Sequence, residues 1–456
     1  MTKNLFLVLL FTVQTAFAQI TSKDNNFASN GIYSILTGNN TNSSPRMVQD
    51  SNGSIYFTYN RNDSSTGGLE KSFLSKLNAN GIVDTSFGTN GELTLPHFIV
   101  DSQIKIQSDG KLLIYLESDI LRVLPSGQFD NTFGTNGVSS AIPAMGSDSV
   151  GYSGGFILQN GKIIVHGINN SQHLIYRLNT DGSIDTTFGN DGSIFTQGSW
   201  SNATSTFVDN QSNIVSIHLN GIIEKFNPNG LPLTSFGNNG VFQGMSNNYA
   251  RAIMDSNNNI VYTSGTGQIN RIKSDGTFDS SFNFNPITSI PFPIWILSIV
   301  EKNGHYYIGG AKEVNNDIKF FISKLNQNGT MNSAFNYYVE TNPTLNYLDD
   351  MIVNDNNIIA DGNGYIVKYL LTNGTLSTTD MKKAIDNITF ENPVKQNLVY
   401  QSNEKVSKIE IYSSEGKILK VSKESNLSVS GLPKGIYMAK VTFENGSITT
   451  KKLIKN

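Results

Sequence analysis

Short hydrophobic runs along the chain are separated by polar turns, many of them Asn-Gly or Asp-Gly pairs. Runs such as KLLIYL at 111–116 indicate β-strands, in which successive side chains point to opposite faces of a sheet. Asn-Gly and Asp-Gly tolerate the positive φ that a tight hairpin turn requires. The pattern therefore predicts an all-β chain of short strands joined by hairpins.

The phrase LNANGIVDTSFGTNG at 77–91 returns along the chain at a nearly constant interval. Its first glycine and the equivalent glycines are Gly81, Gly127, Gly182, Gly230, Gly276, Gly329 and, in a truncated copy, Gly374. They lie about 49 residues apart on average, within the range of roughly 40–50 residues shown by four-stranded propeller blades. A second hairpin signal precedes each copy, so the sequence predicts seven repeats of about four strands each.

A phenylalanine recurs at one position of the phrase. The positions are Phe87, Phe133, Phe188, Phe236, Phe282 and Phe335. We expect this side chain to fill the space between neighbouring blades, where truncating a buried Phe to Ala costs about 3–5 kcal/mol.

The two ends of the repeat region complement each other. The last copy stops at Ser377 without its phenylalanine, whereas DNNFASNG at 24–31 matches DNTFGTNG at 130–137. An open solenoid would need polar capping repeats, but a ring that pairs its first segment with its last leaves no exposed edge. We therefore predict a seven-bladed β-propeller over 19–377, closed by its N-terminal strand.

The phrase resembles the delta-sixty repeat of bacterial exported proteins, over roughly residues 24–377. The resemblance implies a propeller-like repeat and says little about activity, because members of that family are mostly uncharacterised. Leu233 departs from the motif by standing in place of Asp, and Asn283 and Asn336 replace the glycine after the phenylalanine. The register of the fourth to sixth repeats is therefore the least well defined.

The N-terminus has the pattern of an export signal. Lys3 precedes the apolar run 5–10, and AFA at 16–18 offers the small residues that a signal peptidase reads, so 1–18 is predicted to be removed before Gln19. A membrane anchor is the alternative, but about 9 apolar residues are too few for a core that needs roughly 20. The apolar stretch 286–300 is interrupted by prolines, and no membrane span is predicted.

Beyond the repeats the pattern changes. Residues 378–386 are polar and predict a linker. Over 387–456, short strands predicted at 408–412, 417–421, 436–443 and 447–454 are divided by turns at 415–417, 433–435 and 444–446, which predicts a small immunoglobulin-like β-sandwich.

This last segment resembles the C-terminal sorting domain of type IX, or Por, secretion cargo of the Bacteroidetes phylum. The residues that carry the resemblance are Asn392, Pro393, Gly416, Lys417, Leu432, Pro433, Gly435, Tyr437, Lys452 and Leu453. It implies the type IX machinery and its sorting protease as partners. It also implies a secreted or outer-surface location once leader and sorting domain are removed. The alternative is an ordinary immunoglobulin-like module at a chain end.

Composition narrows the classes of partner. The 456 residues include 33 Lys+Arg and 36 Asp+Glu, and the formal charge of −3 disfavours a nucleic-acid or polybasic membrane partner. The chain has no cysteine, which removes disulfides and thiol catalysis from consideration. We expect a monomer.

No pattern nominates a catalytic residue, a metal or a cofactor. The histidines are His97, His166, His173, His218 and His305. They are spread along the chain, and no pair has the helical spacing of metal ligands. GYSGG at 151–155 matches G-x-S-x-G, but that elbow joins a strand to a helix in an α/β sheet, so a glycine-rich loop is the better interpretation. The Asp-Gly turns lack the ligands of a calcium loop, and no spacing pairs two carboxylates.

Length variation points to one face of the predicted propeller. Connections between second and third strands and linkers between blades vary most, and in a four-stranded meander both leave from the same face, which usually marks the binding side. The ligand-binding candidates near this face are Arg46, Trp200, Tyr249, Arg251 and Trp295. Aromatic rings there can stack on sugars or partner side chains, or alternatively plug the channel mouth and the blade junctions.

Two functions remain open from the sequence. One is a non-catalytic recognition or adhesion propeller that binds a glycan or a protein, and the other is a polysaccharide-active enzyme on the same scaffold. Nearly interchangeable repeats favour recognition, because an enzyme should mark one or two blades with unusual buried charge.

Overall fold

The fold is known from a computed structural model. It describes residues 19–35, 46–63, 69–97, 103–116, 119–139, 156–159, 161–169, 172–197, 204–218, 221–244, 249–264, 267–284, 294–315, 317–335, 337–362, 364–372, 388–402, 405–413, 418–422, 426–444 and 448–456. The regular elements among these residues are all β-strands, which confirms the all-β prediction. Nothing in these ranges forms a helix long and apolar enough to cross a membrane. The predicted leader 1–18, the linker 378–386 and the motif at 151–155 lie outside the described residues.

The chain divides into two compact units, 1–373 and 374–456. Within its described residues, the first unit contains seven antiparallel sheets. Sheet 1 comprises β3 (Arg46–Gln49), β4 (Ile55–Asp63), β5 (Leu69–Leu77) and β6 (Glu92–Thr94). Sheet 2 comprises β7 (Gln103–Ile106), β8 (Leu112–Leu116), β9 (Asp119–Val123) and β10 (Val138–Ser139). Sheet 3 comprises β11 (Phe156–Gln159), β12 (Lys162–Asn169), β13 (Gln172–Leu178) and β14 (Ser193–Phe195).

The remaining sheets of this unit follow in chain order. Sheet 4 comprises β15 (Thr204–Val208), β16 (Ile214–His218), β17 (Ile222–Phe226) and β18 (Val241–Gln243). Sheet 5 comprises β19 (Tyr249–Met254), β20 (Ile260–Ser264) and β21 (Ile269–Ile272). Sheet 6 comprises β22 (Ile294–Lys302), β23 (His305–Val314), β24 (Asp317–Leu325) and β25 (Tyr338–Val339). Sheet 7 comprises β26 (Asp350–Val353), β27 (Asn357–Gly362), β28 (Tyr365–Thr372) and two N-terminal strands, β1 (Gln19–Lys23) and β2 (Ile32–Ser34).

Sheet 7 is built from both ends of the first unit. β1 and β2 each pair antiparallel with β28, so the N-terminal residues complete the sheet formed by the last repeat. The first strands of successive sheets also contact one another: β3 with β7, β11 with β15, β15 with β19, β19 with β22, β22 with β26, and β26 with β3. The seventh sheet is therefore a neighbour of the first.

The recurring phenylalanines lie at the junctions between sheets. Phe27, Phe87, Phe133, Phe188, Phe236, Phe282 and Phe335 are all buried, which confirms their predicted packing role. In six junctions the residue after the phenylalanine donates its backbone N–H to the residue before the next repeat's glycine. The donors and acceptors are Ala28 to Asn80, Gly88 to Ser126, Gly134 to Asp181, Gly189 to Asn229, Gly237 to Asp275 and Asn283 to Asn328. A Cβ at Gly127 would lie 2.3 Å from the Gly88 nitrogen, so the junction requires glycine there.

Five junctions also hold a cation that the sequence pattern did not reveal. In each of these five, a lysine or arginine of the third strand lies over the phenylalanine ring: Arg122 on Phe133, Arg177 on Phe188, Lys225 on Phe236, Arg271 on Phe282 and Lys368 on Phe27. Its partner is usually the motif aspartate, as for Arg122 and Asp130 at 2.7 Å. Where Leu233 replaces that aspartate, Lys225 instead pairs with Asp209 at 2.9 Å. The departure at 233 is thus compensated within the same sheet.

Sheet 5 departs from the four-strand expectation, because its described residues contain no fourth strand. In sheet 1 the glycine after the phenylalanine, Gly88, has a φ of 56°, and a Cβ on it would lie 2.2 Å from the carbonyl oxygen of Glu92 in β6. Asn283 occupies this position in sheet 5, and residues 285–293, which follow it, lie outside the described residues. Sheet 7 accommodates the smaller Ala28 at a φ of 46°.

The second unit contains two antiparallel sheets in its described residues. One comprises β29 (Ile388–Phe390), β30 (Asn397–Ser402) and β33 (Asn426–Ser428). The other has the order β32 (Ile418–Ser422), β31 (Val406–Tyr412), β34 (Gly435–Phe443) and β35 (Ile448–Lys455). Their apolar side chains form one core that includes Leu398, Ile409, Val441 and Leu453.

Candidate functional site

Each sheet of the first unit has an edge at which its first strand begins and its second strand ends. We call it the loop edge, because the linkers between sheets and the connections from second to third strands leave from it. Four cross-strand pairs lie there: Arg46 with Thr58, Arg251 with Thr263, Trp295 with Ala311, and Asp350 with Asp361. Since β19, β22, β26 and β3 contact one another in that order, these pairs are neighbours on consecutive sheets.

Three of the five ligand-binding candidates lie at this part of the loop edge. Arg46 and Arg251 are partly buried, and Trp295 exposes 40% of its surface. The Arg251 backbone N–H donates to Thr263 Oγ1 at 3.1 Å, which fixes the start of β19. Tyr249 begins β19 at the same edge, but only its backbone is described, and Trp200 lies outside the described residues.

A buried carboxyl group, Asp361, lies at the same edge of sheet 7. Its Oδ1 accepts the backbone N–H of Asp350 at 2.9 Å, whereas its Oδ2 is buried without a hydrogen-bond partner. Burial raises the pKa of Asp361 well above its usual value, and the charges of Asp350 and Asp349 add to this effect, while Arg46 opposes it. The site therefore combines a carboxyl group that favours its neutral form with a second carboxylate and a cation.

Spacing along the sequence did not nominate these carboxylates because they lie on two strands of a hairpin. Asp350 begins β26 and Asp361 is next to the end of β27, and only the register of the pair places them opposite each other. The two carboxylates could have been found from the sequence by pairing the two predicted strands residue by residue, starting from the turn at 354–357.

Three of the five histidines converge between sheets 3 and 4, although they are spread along the sequence. His166 Nε2 and His173 Nδ1 are 3.2 Å apart, and the ring of His173 meets that of His218 edge-on at 6.2 Å. His218 Nε2 in turn lies 3.0 Å from Glu224 Oε2, and all four side chains are buried. Burial lowers the pKa of His166 well below its usual value, and the neighbouring His173 and His218 lower it further.

The histidine cluster does not form a nucleophile relay. Ser216 Oγ lies 3.1 Å from His218 Nε2, the same nitrogen that contacts Glu224, whereas a serine relay places the serine and the carboxylate on opposite ring nitrogens. Ser216 is also fully buried. No group of three or more His, Asp or Glu residues suited to a metal ion occurs within the described ranges.

These two clusters correct one expectation from the sequence. The repeats are not interchangeable at the loop edge, because sheet 7 carries the buried Asp361 and sheets 3 and 4 carry the buried histidines with Glu224. The junction residues repeat from sheet to sheet, but the residues at the loop edge differ.

In the second unit, several sorting-signal residues hold the fold together. Asn392 Oδ1 accepts the Ile454 backbone N–H at 2.8 Å, and its Nδ2 donates to the Lys452 carbonyl at 2.9 Å. The Tyr437 hydroxyl donates to the Pro433 carbonyl at 2.8 Å. Asn392 therefore attaches the last strand, and Tyr437 fixes the turn before β34.

Of the other sorting-signal residues, some are buried, some lie at the surface, and two lie outside the residues that the structure describes. Leu453 is fully buried, Leu432 packs against the core, and Gly435 begins β34. Pro393 precedes a bridge between Val394 and Lys455. Gly416 and Lys417 lie outside the described residues.

Comparison with protein families identifies two parts of the chain. Residues 389–456 match the family described as "Secretion system C-terminal sorting domain". Residues 158–188, within sheet 3, match "Domain of unknown function (DUF5122) beta-propeller". No curated protein matches the chain.

Solved structures that resemble the chain do so at low identity. The extracellular domain of BT4673 from B. thetaiotaomicron is 12% identical with a TM-score of 0.41, and the match covers 94% of this chain and 59% of that domain. BamB from Moraxella catarrhalis is 12% identical with a TM-score of 0.43, over 77% of this chain and 96% of BamB. BBS1N, solved in complex with ARL6DN, is 12% identical with a TM-score of 0.45, over 78% of this chain and 97% of BBS1N.

The two family matches define an extracellular protein with a β-propeller region and a C-terminal sorting domain. The sorting domain marks proteins that the type IX system secretes and that are then attached to the cell surface or released. The type IX machinery is therefore a partner of this chain.

Proposed function

We propose that the first unit is a closed seven-bladed propeller that recognises a glycan or a protein outside the cell. The ligand binds at the loop edge of sheets 5, 6, 7 and 1. The observation that carries this proposal is the order of Arg251, Trp295, Asp350 and Arg46 on four first strands that contact one another. None of these residues belongs to the repeated junction, so a structural role in the repeat does not account for them.

Closure of the ring is supported by contacts between sheets 7 and 1. The backbone N–H of Ala28 donates to the Asn80 carbonyl at 2.7 Å, the same kind of bond that joins sheets at five other junctions. Asn354 Nδ2 donates to Gln49 Oε1 at 2.8 Å, and Lys368 Nζ to a backbone carbonyl of sheet 1 at 3.3 Å. The junction between sheets 7 and 1 thus uses the same backbone bond as those five.

The chemistry of the edge fits a hydroxyl-rich ligand best. An exposed indole can stack on the apolar face of a sugar ring, as the 40% exposure of Trp295 allows. A carboxylate such as Asp350 accepts hydrogen bonds, and the guanidinium groups of Arg46 and Arg251 donate several. Glycans offer both donors and acceptors, so we propose a glycan as the ligand class.

Glycan-array binding of the full chain tests this proposal. We expect Trp295→Ala to lower binding at least tenfold, because it removes the stacking surface. Phe278→Ala is the matched control, since Phe278 exposes 52% of its surface in the turn after β21, the third strand of sheet 5, away from the loop edge. Equal binding by wild type and Trp295→Ala would contradict the proposed site.

A polysaccharide-active enzyme is the second candidate, and one observation favours it. Glycosidases use two carboxyl groups in different protonation states, and the raised pKa of Asp361 beside Asp350 provides such a difference. Release of reducing ends from array-positive glycans is the measurement. We expect none, and hydrolysis that is lost in both Asp350→Asn and Asp361→Asn would favour the enzyme instead.

Other parts of the proposal concern processing and origin. We propose that 1–18 is a signal peptide removed before Gln19, that 378–386 links the propeller at 19–377 to the sorting domain at 387–456, and that the sorting protease cuts near this linker. We further propose that the repeats are of the delta-sixty type, the source is a member of the Bacteroidetes, and the secreted protein is a monomer. N-terminal sequencing and intact mass of the exported protein test the cleavage sites.

A further inference from the structure

The described sorting-signal residues divide between the interior and the surface of the second unit. Leu453 and Tyr437 are buried, whereas Asn392, Pro393 and Lys452 are exposed. The secretion machinery can contact only a surface of exposed residues, and Lys452 places one of them on the sheet that contains β35.

The outer face of the sheet β32-β31-β34-β35 provides such a surface. Residues directly opposite in antiparallel strands share a face, so Ile418, Tyr412, Met438 and Lys452 form one row across all four strands. A second row contains Val421, Glu410, Lys440 and Thr450, and Ile436 lies opposite Ile454. We call these ten residues the outer sorting face.

The outer sorting face carries several exposed apolar side chains. The large hydrophobic residues exposed in the described part of the second unit are Val399, Ile418, Leu419, Val421, Ile436 and Met438. Four of them belong to this face, with Val421 at 54% and Ile436 at 56% exposure. Contiguous apolar patches on a water-exposed sheet mark interaction sites far more often than single exposed residues do.

Charge on and around the face indicates the chemistry of the partner. The Glu410 carboxylate lies 3.2 Å from Lys408 Nζ and 4.0 Å from Lys440 Nζ, so these lysines balance its negative charge. Lys452 ends the apolar row and is exposed. Residues 388–456 contain eleven lysines and six glutamates, with no arginine or aspartate. A complementary surface is therefore apolar at its centre and acidic at its rim.

We propose that the outer sorting face is the surface by which a protein of the type IX machinery binds this chain, through an apolar strip bordered by carboxylates. The family match covers all four strands of the sheet, and the machinery is a partner that must contact this unit before export. A second copy of the chain is the other occupant that an apolar face could have, and the experiment distinguishes the two.

The test uses the full chain in a host with an active type IX system. Val421→Thr combined with Ile436→Thr removes apolar surface while keeping β-branched side chains that suit a strand. Val399→Thr is the matched control, because Val399 is 51% exposed but lies on β30 in the other sheet. We expect at least a tenfold smaller exported fraction and periplasmic accumulation for the double variant, with export of the control unchanged.

Folding is measured separately by protease resistance of the purified full chain. If the double variant loses protease resistance, Met438→Gln, which alters one residue of the first row, decides by the same export assay. Normal export of a folded variant overturns the proposal. So does a wild-type dimer that becomes a monomer in the variant while export continues, because the face would then serve a second copy.

Discussion

Lys23 Nζ lies 2.8 Å from Glu340 Oε1, and this ion pair joins the N-terminal strand β1 to the segment that follows sheet 6. The Glu340 side chain is fully buried, and its other oxygen accepts hydrogen bonds from the hydroxyls of Tyr338 and Tyr369. Burial alone would raise the pKa of Glu340, but the hydrogen bonds from Lys23 and Tyr369 outweigh it and the pKa is lowered. An N-terminal residue thus neutralises a buried charge more than 300 positions along the chain.

Replacing Lys23 with Met should destabilise the first unit by about 3 kcal/mol, because it leaves a buried carboxylate without its cation. Thermal unfolding measures the loss. A carboxylate with a lowered pKa contributes stability above its unfolded value near 4.5, and this contribution is lost as pH falls. The difference between wild type and variant should therefore shrink in acid.

The control for this variant is Lys302→Met. Lys302 pairs with Asp355 at 3.2 Å, but the Asp355 side chain is 73% exposed and that of Lys302 is 35% exposed, and such surface pairs contribute about 0–1 kcal/mol. Equal melting temperatures for Lys23→Met and wild type would show that the N-terminal strand does not stabilise the unit through this pair.

Truncating Phe27 to Ala should cost about 3–5 kcal/mol, because Phe27 is fully buried and packs against Gly81 of sheet 1. Phe195→Ala is the comparison, since Phe195 is 59% exposed and should change stability little. Urea titration measures both. A Phe27→Ala protein as stable as the Phe195→Ala protein would mean that the junction between sheets 7 and 1 contributes nothing.

The histidine cluster should make the first unit sensitive to acid. The folded pKa of His166 lies below its unfolded value near 6.5, so the unfolded chain binds more protons as pH falls through that value. Stability is therefore greatest above pH 6.5 and declines below it. His166→Gln should reduce the decline between pH 7.5 and 5.5 in thermal melts, whereas an unchanged pH profile would assign the decline to other groups.

Replacing Asp361 with Asn should stabilise the first unit at neutral pH. A carboxyl group with a raised pKa binds its proton more tightly in the folded state, so it destabilises the fold increasingly as pH rises above about 4. Asn keeps an oxygen that can accept the Asp350 N–H and carries no charge. Melting temperature at pH 7.5 is the measurement, and a lower melting temperature for the variant would contradict the assignment.

The sequence predicted the elements that depend on local chemistry. Hairpin turns and recurring phenylalanines follow from residues close together in the chain, and the four strands predicted near 408–412, 417–421, 436–443 and 447–454 agree with β31, β32, β34 and β35 within about two residues. Strands β29, β30 and β33 were not predicted, because they are short and pair with distant partners.

The site was harder to predict because its residues come together only through register and sheet order. His166 and His218 are 52 positions apart, and Asp350 faces Asp361 only when the hairpin is paired correctly. The junction cations were missed for a different reason: some repeats have Lys and others Arg at that position, so no single residue type recurs. Arg46, Arg251 and Trp295 were predicted as binding candidates because variable connections point to the edge at which the structure places them.

The pairing of β1 and β2 with β28 has a consequence for export. A chain that enters the periplasm with its N-terminus leading delivers residues 19–34 first, and their partner strand arrives only with residues 365–372. Until then the backbone N–H and C=O groups of these early strands have no partner strand. Pairing with a wrong partner is avoided only if transit is fast or if another protein holds the segment. Sheet 7 is therefore complete only once the whole first unit has crossed, immediately before the sorting domain emerges.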